Sequence, residues 1–409
     1  MKTFSRFAHF SLSDATRSYP SGLEIAFCLC LFSVFLPFKI YPAFFILSAL
    51  FFLIVGYKQT LHLKWFLQRS GLIPLFIFGA YACASYFLTT DGTPQTSTNF
   101  IKMAVNLLFF GSTLFWLDGR DNHRLLLYID RCLHLIFVLC FLQLFLYHYH
   151  TGFHLLAGAG SSAKASALYQ PAYFFWGLAD KNMFGARMAL WGFAYILIPI
   201  ARQQTFPYFR IAWVLLLGYA TLSRTPIVAL LIGLLALIAF FGRKRMKISF
   251  FVLLALALPF IFNKLIRLEH LTSSNDGMGV RLTYWKAFFQ HFDAISPFGN
   301  GFLKGGDFLQ QYAAYYHGEP HIHNTFLSCY LEFGFIGFIS YGLFLWSFYR
   351  YCKQQNSFSL FWLAAFLPLL AIMMILYSGY DNDIMLYLLF IFIIGTTATK
   401  VNKPTADTT

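Results

Sequence analysis

A chain of 409 residues that is 58% hydrophobic and only 11% charged, with a mean hydropathy of +0.62, falls outside the soluble class, where about 25% of residues carry charge. The net charge of +14 does not point to nucleic acid, because the basic residues are scattered over short connections and form no basic domain. Apolar runs of about 16 to 25 residues suit spanning helices and exclude the roughly ten-residue alternating segments of a membrane barrel.

The first 21 residues are polar and basic, and the first apolar run is long enough to stay in the membrane, so no cleavable signal is expected. Twelve spans are predicted, at 22–38, 40–56, 72–88, 98–117, 125–148, 184–201, 208–222, 226–241, 247–263, 324–348, 359–378 and 383–398. They make an all-α polytopic protein with a single integral membrane domain over 1–409. The 52 phenylalanines suit either contact with a long lipid or ordinary lipid-facing packing. The seven cysteines lie in or beside apolar runs and read as small core residues, with no CxxC metal pair and no disulfide framework.

Orientation follows from Lys and Arg placement. Lys2, Arg6 and Arg17 precede span one, and Lys58, Lys64 and Arg69 follow span two. Arg120, Arg124, Arg202, Arg210, the run "GRKRMK" (242–247), Arg350, Lys353, Lys400 and Lys403 continue the pattern. This puts 18 of the 30 basic residues on one side, so both termini are expected in the cytoplasm and the odd-numbered connections on the outer face.

Two outer connections are long, at about 149–183 and 264–323, and loops beyond about 15 residues are usually functional. The second contains "GVRLTYWKAFFQHFDAISPFGNGF" (279–302). Its helical spacing puts Leu282, Trp285, Phe288, Phe289 and Phe292 on one face, predicting an amphipathic helix on the membrane surface with Arg281 near its start.

Candidate chemistry gathers on the outer side. Arg224 lies in "TLSRTP", a minimal outer connection that needs no arginine for orientation. Thr225 and Pro226 read as N-cap and first-turn proline of an inward helix, so Arg224 stands beside a positive helix end. That is a phosphate site, or an arginine snorkelling to lipid phosphates. His323 and Asn324 stand at the outer start of span ten in "EPHIHNTFLSCYLEFGFIG" (319–337). On a straight helix Gly334 and Gly337 fall within about 40° of His323 and about 16–21 Å deeper, which predicts close approach of a neighbouring helix there. Glu332 falls on the opposite face, where an ionisable group needs a partner such as Arg187 or Arg131. Asp381 and Asp383 in "GYDNDI" (379–384) suit a metal, a helix cap or the orientation of a His or Arg. Considered alone, His323 is either a catalytic group or an inert interfacial histidine.

His323-Asn324, nine residues, then Gly334-Phe335-Ile336-Gly337 resembles the H-N-x9-G-x-x-G signature of the bacterial O-antigen ligase family, which it shares in part with O-antigen polymerases and protein O-oligosaccharyltransferases. "TLSRTP" resembles the family's arginine between adjacent spans. The 279–302 stretch is similar to its Arg-x-x-x-Trp region with a Pro-x-Gly-x-Gly turn, and "LADKNMFGARMAL" (178–190) to its asparagine-containing start of an earlier span.

The resemblance implies a GT-C-like architecture and a metal-independent, cofactor-free, inverting glycan transfer on the periplasmic face of a Gram-negative inner membrane. The donor would be a glycan on undecaprenyl pyrophosphate, the acceptor a sugar hydroxyl of lipid A–core, with membrane lipids as surroundings and no nucleic acid. His323 matches the family's general base, and Arg224 and Arg281 its pyrophosphate arginines. Arg267, Asp381 and Asp383 have looser parallels, Asn324, Gly334 and Gly337 support the motif, and His321 has no assigned role. The polymerase is the alternative, the protein O-oligosaccharyltransferase a third, and a twelve-span transporter or flippase the reading from another class. Against the last, no internal repeat is visible.

Overall fold

The computed structural model describes residues 21–35, 40–57, 70–89, 92–151, 181–202, 206–242, 244–260, 277–355, 359–376 and 379–401. Fourteen α-helices run through them: α1 (Gly22–Ser33), α2 (Tyr41–Tyr57), α3 (Leu72–Thr89), α4 (Pro94–Leu117), α5 (His123–Thr151), α6 (Lys181–Ala201), α7 (Tyr208–Ala220), α8 (Arg224–Phe241), α9 (Lys244–Phe260), α10 (Gly277–Gln290), α11 (Gly305–Tyr312), α12 (Thr325–Gln355), α13 (Ser359–Ile375) and α14 (Asn382–Val401). The described residues contain no strand. A helix occupies each of the twelve stretches predicted to span. Five of them (α3, α4, α5, α6 and α12) are long and apolar enough to cross a membrane, and six more are shorter apolar helices. The described residues are all-helical, and their apolar helices are those of a membrane protein.

Local chemistry sets several starts. Ser21 and Glu24 form a reciprocal capping box on α1. Thr93 caps α4, with Pro94 in its first turn. Thr225 was expected to cap α8, but the cap is Ser223 and Arg224 is already helical. The Ser223 hydroxyl instead donates to Asn182 Oδ1 at 2.8 Å, near the start of α6.

Helices α6 and α14 are apolar all round and form the centre. Met188 to Ile198 is at most 2% exposed apart from the glycine, and Ile384 to Ile394 at most 1%. Helix direction can be read from side-chain pairs. Gly185 faces Pro226 and Gly233 faces Phe193, so α6 and α8 are parallel. Arg187 binds Asp383, and Trp191 meets Phe390 edge-on at 5.4 Å, so α14 is parallel to α6. Asn324 and Thr325 bond to the carbonyls of Met374 and Leu376, while Tyr349 packs on Phe366, so α13 runs against α12. The starts of α6, α8, α12 and α14 therefore share one end of the bundle with the end of α13. Arg124 pairs with Glu24 at the opposite end, where Tyr351 donates to Asp118 and Asn122 reaches Thr396.

Helix α10 falls where an amphipathic helix was expected, but its predicted apolar face is divided. Leu282, Phe289 and, beyond its end, Phe292 are exposed, whereas Phe288 is buried. The face packed into the protein is Val280, Arg281, Tyr284, Ala287 and Phe288. A second core of Val280, Tyr284, Phe288, Ile295, Phe308, Leu309, Ile322 and Leu331 takes that face.

Candidate functional site

Two backbone devices hold the outer loop on the bundle. The first is a break in α12 at Gly334, whose φ of 60° and ψ of −156° lie outside the helical region. Only glycine occupies this conformation readily. Into the break sits the turn Pro297–Gly301: the Phe335 amide donates to the Pro297 carbonyl at 2.8 Å, the Asn300 amide to Leu331 at 2.7 Å and the Gly301 amide to Glu332 at 3.1 Å. A Cβ on Gly334 would lie 2.1 Å from the Pro297 oxygen, and one on Gly299 would lie 2.3 Å from the Glu332 oxygen. The expected neighbour at Gly334 was a helix; it is this turn. Gly337 likewise opens onto Phe333 of its own helix, with a Cβ separation of 2.1 Å. Tyr81 of α3 steadies the turn from the other side, donating to the Phe298 carbonyl at 2.7 Å.

The second device is the start of α12. Asn324 is its cap: Oδ1 accepts from the amides of Phe326 and Leu327 at 3.0 and 3.1 Å, while Nδ2 donates to the Met374 carbonyl at 3.2 Å. On the other flank Ile322 is fully buried, and its amide donates to Ser328 Oγ at 3.3 Å. Between these two anchors His323 takes a φ of 57°, uncommon for a residue with a Cβ. Local strain of this kind gathers at functional sites.

Around His323 stand groups that sequence reasoning missed. Glu319 Oε1 lies 4.0 Å from His323 Nε2. Tyr284 of α10 donates to Glu319 Oε2 at 2.5 Å, and its ring is parallel to the imidazole within 6°, at 6.1 Å. The His317 amide donates to the Tyr284 oxygen at 3.2 Å. His321 meets His323 edge-on at 4.8 Å. Burial alone would raise the Glu319 carboxyl, but its contacts with His323 and Tyr284 outweigh it and hold the group down at about 2. Burial, helped by the neighbouring His323, pushes His321 down to about 3. The residue is half-buried, but its Nδ1 is sealed from solvent, which explains that shift. His321 is therefore neutral at physiological pH. His323 Nδ1 is enclosed and has no hydrogen-bond partner among the described residues.

The arginines fall into two places. Arg281 is buried in α10, one turn before Tyr284 and so on the helix face that meets Glu319. Arg224, half-buried, begins α8, at the bundle end that also holds the start of α12. Arg267 lies outside the described residues. Asp383 is paired with Arg187, which selects the arginine-orienting reading for that aspartate. Asp381 is half-buried just before α14; burial and the Asp383 charge push its carboxyl up to about 7. Arg187, suggested for Glu332, binds Asp383, and Tyr380 donates to Glu332 Oε2 at 3.1 Å. The described residues hold no cluster of three His, Cys, Asp or Glu fit for a metal.

Glu319 had a weak sequence signal, being four residues before His323 in the same motif. Pro320 prevents a helical reading of that spacing, and Tyr284 lies 35 residues away.

Residues 209–342 match the family described as O-antigen ligase. The match takes in Arg224, Arg281, His323, Asn324, Gly334 and Gly337, and ends before Asp381. No curated protein matches the chain significantly.

Proposed function

We propose that this chain, whose residues 209–342 match the O-antigen ligase family, transfers a glycan from undecaprenyl pyrophosphate to a sugar hydroxyl of lipid A–core. The observation that carries this reading is His323, held at a left-handed backbone position beside Glu319 and next to the helix that bears Arg281. The topology that goes with it has twelve spans in a GT-C-like arrangement, both termini in the cytoplasm and the site on the periplasmic side of a Gram-negative inner membrane.

The reaction forms a bond from the acceptor oxygen to the anomeric carbon and breaks the bond from that carbon to the pyrophosphate oxygen. His323 takes the acceptor's proton, and the polyprenyl pyrophosphate leaves with the bonding electron pair. Negative charge therefore develops on the leaving phosphate, where Arg281 and Arg224 offer fixed positive charge and the start of α8 its dipole. A neutral imidazole is suited to the proton because its ordinary pKa is about 6.5. The energy comes from the donor's phosphate linkage, and the reading needs neither nucleotide nor metal.

A deletion strain analysed by gel tests it. Loss of O-glycan from lipid A–core, with long chains still on the lipid carrier, supports the ligase. Core carrying a single repeat unit supports the polymerase. Donor retained on the cytoplasmic leaflet supports a flippase. Complementation with His323→Ala must fail although the protein inserts normally; restored capping would overturn the role of the histidine.

A further inference from the structure

Glu319 is fixed from several directions. Tyr284 holds one carboxylate oxygen at 2.5 Å, and the other faces His323. The backbone around Glu319 is pinned by α11: a Cβ on Gly305 would lie 2.7 Å from the Pro320 oxygen, and one on Gly306 would lie 3.3 Å from the Glu319 oxygen. Burial of Tyr284, reinforced by its bond to the carboxylate, raises its phenol well above the ordinary range, so it remains a donor. The separation of 4.0 Å between Glu319 Oε1 and His323 Nε2 is too long for a hydrogen bond. It is short enough for a strong ionic contact once the ring is charged.

We propose that Glu319 is a positioning residue for His323, orienting the ring through Nε2 and stabilising the imidazolium that forms when His323 takes the acceptor's proton. This rests on the transfer reaction proposed above. A carboxylate 4.0 Å from Nε2 stabilises the positive charge that the ring acquires with the proton. The contact is weak while the imidazole is neutral and strengthens as the proton arrives, so it lowers the barrier more than it aids substrate binding. Tyr284 links the two halves of the site, because its helix also carries Arg281 one turn earlier. Among the described residues, the titratable groups that face the imidazole are Glu319 and His321 on its own segment and Tyr284 on α10.

The test uses the full-length protein in nanodiscs, with lipid-linked O-glycan and lipid A–core extracted from the deletion strain. Glu319→Gln keeps the shape and removes the charge. Its kcat should fall at least about tenfold while KM for both substrates holds and the protein still inserts and folds. Tyr284→Phe removes the hydroxyl and keeps the ring, so it should lose less. The double variant should be no slower than Glu319→Gln alone, because the hydroxyl acts through the carboxylate. Wild-type kcat in Glu319→Gln, with His323→Ala inactive, overturns this inference and leaves the transfer reaction standing. Additive losses in the double variant also overturn it. Activity retained in both Glu319→Gln and His323→Ala overturns the two together.

Discussion

Arg187 and Asp383 face each other across α6 and α14 with two bonds, 2.6 Å from Nε to Oδ1 and 3.1 Å from the guanidinium to Oδ2, and both side chains are 5% exposed. A third guanidinium bond reaches the Val34 carbonyl at 3.2 Å, and the group lies over the Phe35 ring at 5.1 Å. The pair thus joins both central helices to the end of α1. Removing one partner strands a buried charge, which costs about 3–5 kcal/mol, whereas replacing both with apolar residues of similar size is often near neutral. Arg187→Met and Asp383→Leu should each lower the melting temperature in detergent strongly, and the double variant should recover most of the loss. Equal losses in single and double variants would show that the pair acts through packing alone.

Gly334→Ala should be among the most damaging small changes in the protein. The added methyl would collide with backbone atoms of Pro297 and Phe298 at 2.1 and 2.4 Å, and the backbone conformation is itself costly for alanine. A cost of about 3 kcal/mol or more is expected. Hydrogen exchange locates it: the Asn300, Gly301 and Phe335 amides, which bond across the break, should lose protection before those of α6 and α14. Unchanged protection at those three amides would refute the account.

The same glycine shows where the sequence could be read and where it could not. The apolar runs located the helices because membrane helices announce themselves by length and composition. The motif residues around His323 were identified for the same reason that they are distinctive: a cap, a histidine and spaced glycines at an outer helix start. The angular argument placing Gly334 and Gly337 beneath His323 assumed a straight helix, and α12 breaks at Gly334. The turn that fills the break begins 37 residues earlier, at Pro297. Pairings such as Arg187 with Asp383, or Tyr284 with Glu319, leave no local periodicity in the chain. They depend on which helices become neighbours.

Acid should loosen the His323 loop over a defined window. Glu319 is held at about 2 against an ordinary value of 4.5, and His321 at about 3 against 6.5. Both folded values are depressed, so the folded state prefers the deprotonated form of each group. The stability from His321 is complete above about 6.5 and is lost as pH falls towards 3; that from Glu319 is complete above about 4.5 and is lost towards 2. Melting temperatures of wild type and Glu319→Gln should therefore differ above pH 5 and converge below pH 4.5. His321→Phe, which keeps a ring and cannot be protonated, should remove the part of the decline between pH 6.5 and 4.5. A decline with the same profile in both variants would contradict these assignments.

The two arginines should separate by substrate. If Arg281 and Arg224 meet the pyrophosphate, then Arg281→Ala and Arg224→Ala lose stabilisation of charge that grows as the donor bond breaks, a loss of about 10²–10³ in kcat for each donor group removed. KM for lipid A–core should be unchanged in both. Lysine replacements keep the charge but lose the planar fork that engages two phosphate oxygens, so they should recover activity only in part. Arg281 carries an additional expectation, because it shares α10 with Tyr284, whose hydroxyl holds Glu319. Arg281→Lys should disturb the donor without disturbing the base, so combining it with Glu319→Gln should multiply the two losses. A single-turnover assay with labelled lipid-linked glycan reads this directly. Combined losses no greater than the larger single loss would mean that Arg281 works through the histidine's surroundings and not on the phosphate.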